Sequence, residues 1–104
     1  MAFRVMTKTI SGTAAQSLIS GTMAGSVVTG ATHVPARWAI VNNVSGNGNL
    51  TVGDKNVTAT IYGSILAAAA SLTIGPFSGE LPFNLEDIWL IGTDTNVIRV
   101  TFVT

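Results

Sequence analysis

Apolar and polar residues alternate with a period of two through most of this chain, where a helical protein would show a 3.6-residue period. In Phe3–Lys8, Phe3, Val5 and Thr7 point one way and Arg4, Met6 and Lys8 the other. In Arg37–Val44, Trp38, Ile40 and Val44 share a face, with Ala39 and Val41 opposite. The split is cleanest near the C-terminus, where Ile98, Val100 and Phe102 stand against Arg99, Thr101 and Val103. Successive side chains of a strand leave on opposite faces, so each pattern predicts a strand with one buried side. Turn residues punctuate the strands at short intervals: Gly12, Gly21, Gly25, Gly30, Ser45–Asn49, Gly53–Asn56, Gly63, Gly75–Gly79, Pro82 and Gly92–Asn96. Together they predict an all-β domain, an antiparallel β-sandwich, with a small jelly roll as one form of it.

Two stretches resist this pattern. Ile65–Ser71 is rich in Ala, the best helix former, yet only seven residues long, so a helical turn, an irregular loop and the start of a strand all stay open. Residues 11–35 are mostly small, with isolated apolar pairs at Leu18-Ile19 and Val27-Val28. They read either as short irregular strands or as an extended arm that orders against a neighbour.

Composition sharpens the picture. A chain of 104 residues makes one domain, 1–104, able to bury roughly two-thirds of its unfolded surface. Only 10% of residues are charged, against about 25% in an ordinary domain, and five acidic residues balance five basic ones. A zero net charge lacks the positive field that holds nucleic acid, so no direct nucleic-acid binding is expected. It also lacks the self-repulsion that keeps copies apart, which points to a homo-oligomer or a partner covering the surface. No Cys is present, which excludes disulfides and thiolate metal sites. Ala59–Phe77 is apolar enough to raise a membrane span, but Thr, Ser, Gly and Pro interrupt it and no basic cluster flanks it, so no membrane partner is expected. Arg4 and Lys8 precede no continuous apolar run, so the first residues do not read as a signal peptide.

No catalytic, cofactor or metal site emerges from the residues. Ser45–Asn49 (SGNGN) lacks the following helix and Lys-Ser/Thr of a phosphate loop, and its Gly and Asn suit a tight hairpin turn. His33 is the sole histidine, with no Cys to complete a metal set and no acidic orienter nearby in sequence. Glu86 and Asp87, as strand neighbours, would face opposite ways and cannot flank one bond; they read as a polar entry to the strand that follows. Asp94 suits a side chain that hydrogen-bonds its own turn better than a calcium ligand. The Asn-x-Ser/Thr triplets at Asn43, Asn49 and Asn56 read as chance in a Ser/Thr-rich chain. Trp38, Trp89 and Tyr62 are expected as core or interface anchors rather than a sugar-stacking set. Ile88–Ile91 places bulky groups on both faces of one strand, so either Ile88 and Leu90 or Trp89 and Ile91 must meet something other than solvent. We take Trp89 and Ile91, with Trp38, as the candidate interface residues.

The order Val41-Asn42-Asn43, Val52-Gly53, Leu66, Ile91-Gly92 and Val97–Val103 resembles small structural proteins of tailed bacteriophage virions. The resemblance covers about 65 residues, and the bend that usually carries a Pro-Gly-Glu-like turn is Ala67–Ala70 here. It implies a last hairpin across Gly92–Asn96 and a capsid decoration (cement) protein, made in the host cytoplasm and carried on the virion surface. It further implies binding to the major capsid protein, with a homotrimer favoured. A tail or fibre module that binds host-surface carbohydrate is the alternative. Neither reading involves a cofactor or an enzyme activity.

Overall fold

The computed structural model describes residues 3–75 and 83–104. Its strands are β1 (Phe3–Thr9), β2 (Gln16–Ser17), β3 (Thr22–Gly25), β4 (Pro35–Ala36), β5 (Trp38–Asn43), β6 (Leu50–Gly53), β7 (Ser64–Leu66), β8 (Ser71–Ile74), β9 (Phe83–Asn84), β10 (Trp89–Ile91) and β11 (Val97–Val103). A 3₁₀ turn, Leu85–Asp87, precedes β10. A five-stranded antiparallel sheet in the order β3-β1-β11-β5-β8 packs on a four-stranded sheet in the order β2-β10-β6-β7, and β4 pairs with β9 separately. The protein is therefore all-β, as the alternation predicts.

Five connections cross directly from one sheet to the other, β2 to β3 among them. The other four, β1 to β2, β10 to β11, β5 to β6, and β7 to β8, lie side by side, because β1-β11-β5-β8 in one sheet runs in the same order as β2-β10-β6-β7 in the other. This corrects two expectations. Ser45–Asn49 does not close a hairpin between β5 and β6, and Gly92–Asn96 does not close one between β10 and β11. Each is an arch between sheets, since β5 pairs with β11 and β8 while β6 pairs with β10 and β7. Gly and Asn satisfy a tight reversal in either setting, so turn composition alone does not distinguish them.

Neighbouring arches are joined to one another. Ile10 and Asn96 share a 2.8 Å backbone bond, Thr95 N–H donates to the Ile10 carbonyl, and the Gly12 N–H donates to Asp94 Oδ1 at 2.7 Å. A side chain at Gly92 would force its neighbours to shift: a Cβ there would lie 2.5 Å from Ile10 Cδ1 and 3.1 Å from Leu50 Cδ1.

Between the sheets lies one apolar core, drawn from Met6, Ile10, Ala39, Val41, Ile98, Val100 and Phe102 of the larger sheet and Leu50, Val52, Leu66 and Leu90 of the smaller. Inward positions alternate as the sequence predicts in β5 and β11. In β1 the buried side is Met6 and Lys8, while Phe3 and Val5 face out. Residues 11–35 hold β2, β3 and the start of β4, and send Leu18, Ile19, Met23 and Val27 into the core. Ile65–Ser71 is neither helix nor simple loop. Strand β7 ends at Leu66, and Ala69 and Ala70 then oppose the single residue Asn43: Ala69 N–H donates to the Asn43 carbonyl at 2.6 Å and Asn43 N–H to the Ala70 carbonyl at 2.9 Å. That is the bonding of a bulge whose first position is left-handed, normally Gly, and Ala69 takes it at φ 67°. The turn signal Gly75–Gly79 and Pro82 fall mostly outside the described residues.

Candidate interaction surfaces

The alternation that buries Ala39, Val41, Ile98, Val100 and Phe102 turns their neighbours outward. Register then aligns those neighbours into rows across the larger sheet. Phe3 pairs with Val103 and Val103 with Trp38; in the next row Val5 pairs with Thr101 and Thr101 with Ile40. The Phe3 and Trp38 rings meet across Val103 with centroids 6.5 Å apart. Phe3 is 70% exposed and Val5 46%. The result is a continuous apolar patch of Phe3, Val5, Trp38, Ile40 and Val103 on the outside of the sheet.

The outer face of the smaller sheet differs. Leu90 is buried, so Trp89 and Ile91 lie on the outer side, both half-buried. Trp89 stands between Ser17 and Gly53, and Ile91 shares a row with Thr51 and Ile65. Residues 54–63 fold back over this face. Val57 is buried with its side chain against Gly53, where a Cβ would come within 3.1 Å of it. Ile61 and Tyr62 remain exposed beside a cleft of about 310 Å³ formed with Gly53, Asp54 and Gly63. The three candidate interface residues are thus not brought together: Trp38 belongs to one outer face, Trp89 and Ile91 to the other.

At the end away from the arches, Glu86 holds the segment before β4. Its Oε1 accepts the Val34 N–H at 3.0 Å and its Oε2 lies 2.5 Å from His33 Nδ1. Burial works against ionisation of Glu86, but the Val34 N–H, His33 and its own backbone N–H together outweigh it and hold the carboxyl below its ordinary value. His33 has no acidic partner nearby in sequence, but the fold supplies one in Glu86. The partner lies 53 residues away, beyond any local motif. Glu86 reaches it because a 3₁₀ turn, not a strand, carries the Glu86-Asp87 pair. Next to this latch is a cleft of about 260 Å³, lined mainly by Val27, Val28, Val34, Pro35 and Phe102, with Arg4 at its edge.

Among the described residues, no group of three His, Cys, Asp or Glu side chains gathers as a metal site. Asp94 bonds across to Gly12 rather than within its own turn. Sequence reasoning missed the outer patch for one reason: alternation pairs Phe3 with Val5 but does not say which side of β1 is covered. No family model, no curated protein and no solved structure matches the chain.

Proposed function

We propose that the chain is a structural protein of a virion, a capsid decoration protein that seats on the shell of the major capsid protein through the outer face of its five-stranded sheet. The observation that carries this reading is the patch of Phe3, Val5, Trp38, Ile40 and Val103, set on a chain with only 10% charged residues. Contiguous exposed apolar surface of this kind marks a face that another protein covers. A rigid sheet presents it without a cost of ordering, which favours tight seating on a regular shell. The carbohydrate alternative draws less support, because Trp38 and Trp89 lie on the outer faces of different sheets and do not share one stacking platform.

The test is co-sedimentation with shells assembled from the major capsid protein of the same genome. The wild-type chain sediments with the shells. Phe3→Ser and Val5→Glu lower the bound fraction at least about tenfold, the effect of removing central anchors, while their melting curves stay close to wild type. A wild-type chain that stays in the supernatant, or a genome with no capsid protein, overturns the reading.

A further inference from the structure

The four sheet edges of this sandwich are not treated alike. On one flank, β2 is only two residues long, and β3 is closed by Thr29, whose Oγ1 accepts the Met23 N–H at 2.9 Å and donates to the Met23 carbonyl at 3.1 Å. Those are the main-chain groups that β3 would otherwise offer to another strand. On the opposite flank, β7 and β8 are edges with no strand beyond them among the described residues. Strand β8 (Ser71–Ile74) carries none of the usual guards of an edge, having no Lys, no Pro and no bulge within it.

We propose that β8 is a self-association edge, which pairs antiparallel with β8 of a second copy and continues the five-stranded sheet across a two-fold axis. The bulge at Ala69-Ala70 fixes which groups are free. Because Asn43 exchanges bonds with Ala69 and Ala70, the alternation of an antiparallel ladder turns the Leu72 N–H and C=O toward β5, opposite Val41, and those of Ser71 and Thr73 away from it. A two-fold axis at Leu72 sets Ser71 opposite Thr73 of the second copy and Thr73 opposite its Ser71. All four residues then exchange main-chain bonds, and no free N–H or C=O of Ser71 or Thr73 is left over.

Side chains agree with this register. Ser71 and Thr73 point outward and are exposed, so hydroxyl meets hydroxyl. Leu72 and Ile74 point inward and are only half-buried, and Leu72 meets its own copy, extending the core across the axis. Charge settles the choice of a second copy over a different strand. A two-fold contact sets every charge near its own duplicate, and the segment Asn56–Gly79 contains none. The contact is isologous, so it gives even-numbered assemblies in place of the trimer that the resemblance implies. It does not depend on what covers the outer faces.

Sedimentation velocity from roughly 1 to 100 µM is the direct test, since a reversible pair is concentration-dependent. The wild-type chain shifts to a species of twice 10.7 kDa. Thr73→Pro, which removes an outward N–H but none that β5 uses, stays at 10.7 kDa throughout with an unchanged melting curve. Leu72→Cys places a single thiol in a chain that has no other, and it forms an interchain disulfide on mild oxidation, whereas Thr73→Cys, offset from the axis, does not. A wild-type chain that remains monomeric, a Thr73→Pro variant that still pairs, or a trimer in either overturns the proposal. Cross-linking through Thr73→Cys and not Leu72→Cys overturns the register.

Discussion

Two polar side chains are buried among the described residues, Asn43 and Lys8, and their surroundings could hardly differ more. Asn43 sits where three arches meet. Its Nδ2 donates to the Gly48 and Leu66 carbonyls, both at 2.9 Å, and its Oδ1 accepts from Asn47 Nδ2, which also donates to the Val97 carbonyl. Every polar atom of Asn43 is matched, two of the matches within the β5–β6 arch and one to the end of β7. Lys8 lies on the inner face of β1 near β3, and among the described residues its ammonium finds only the carbonyl and hydroxyl of Ser20. Both partners are neutral and belong to one residue. Burial therefore lowers the Lys8 pKa from its ordinary 10.5 to about 8. A buried polar group strengthens a fold when its bonding capacity is met; a buried charge without a counter-ion makes stability depend on pH.

The largest expected effect comes from breaking the matched site. Asn43→Ala leaves the Gly48 and Leu66 carbonyls without their donor and costs about 3 kcal/mol, read as a fall in melting temperature of roughly 15 °C. A loss below about 1 kcal/mol would mean that water replaces the amide, and that Asn43 is no more a keystone than Lys8.

Lys8 should respond in the opposite direction. Lys8→Met removes the desolvated ammonium, keeps most of the volume, and leaves a Ser20 carbonyl on an exposed residue that water can reach; stability at neutral pH rises by about 2 kcal/mol. The sign of the pH dependence follows from the lowered pKa. Between about 8 and 10.5 the unfolded chain holds the proton more tightly than the folded one, so wild-type stability increases with pH across that window and levels off above it. Urea unfolding at both ends of the window shows this slope in the wild type and its loss in Lys8→Met.

The comparison reveals what the alternation could and could not convey. In β5 the alternation was legible but not its sense, since the bulkier Trp38 and Ile40 lie outside and Ala39 and Val41 inside; β11 was legible because Ile98, Val100 and Phe102 on one face left Arg99 and Thr101 on the other. β1 was not, because the pattern sets Lys8 among polar residues although its stem and ammonium lie inside. The arches were hidden for a different reason. Asn47 and Asp94 read as turn residues, which they are, but their bonds run to Val97 and Gly12 on neighbouring arches, and nothing local encodes that reach. The outer patch needed register, which links Phe3 to Val103 and Trp38 across most of the chain.

Glu86 offers an intermediate case, a charge near the surface whose donors are supplied. Glu86→Ala releases Val34 and His33 and costs about 1 kcal/mol. Because its folded pKa is lowered, its contribution is complete above its ordinary 4.5 and disappears as pH falls below that value. An acid titration of stability in wild type and variant should converge at low pH; curves that stay parallel would show that the carboxylate contributes nothing as an anion.

The smallest effect concerns the backbone that Asn43 grips. Ala69 occupies a left-handed position that suits Gly, so Ala69→Gly relieves strain that exceeds the added freedom of the unfolded chain and stabilises by about 0.5 kcal/mol. A loss of stability would show that the methyl group packs against the bulge.

The pairing of β1 with both β3 and β11, and of β11 with β5, has a consequence for how the molecule comes into being. β11 occupies the middle of the larger sheet, between two strands made long before it. As residues leave the ribosome in order, β1 and β5 wait without their shared neighbour until Val97–Val103 emerge. Phe3 meets Val103 only across a span of nearly the whole chain, a separation that slows assembly to milliseconds or seconds and keeps apolar strands uncovered meanwhile. Synthesis thus leaves this sheet open until β11 arrives, and that strand closes it from its centre rather than from its rim.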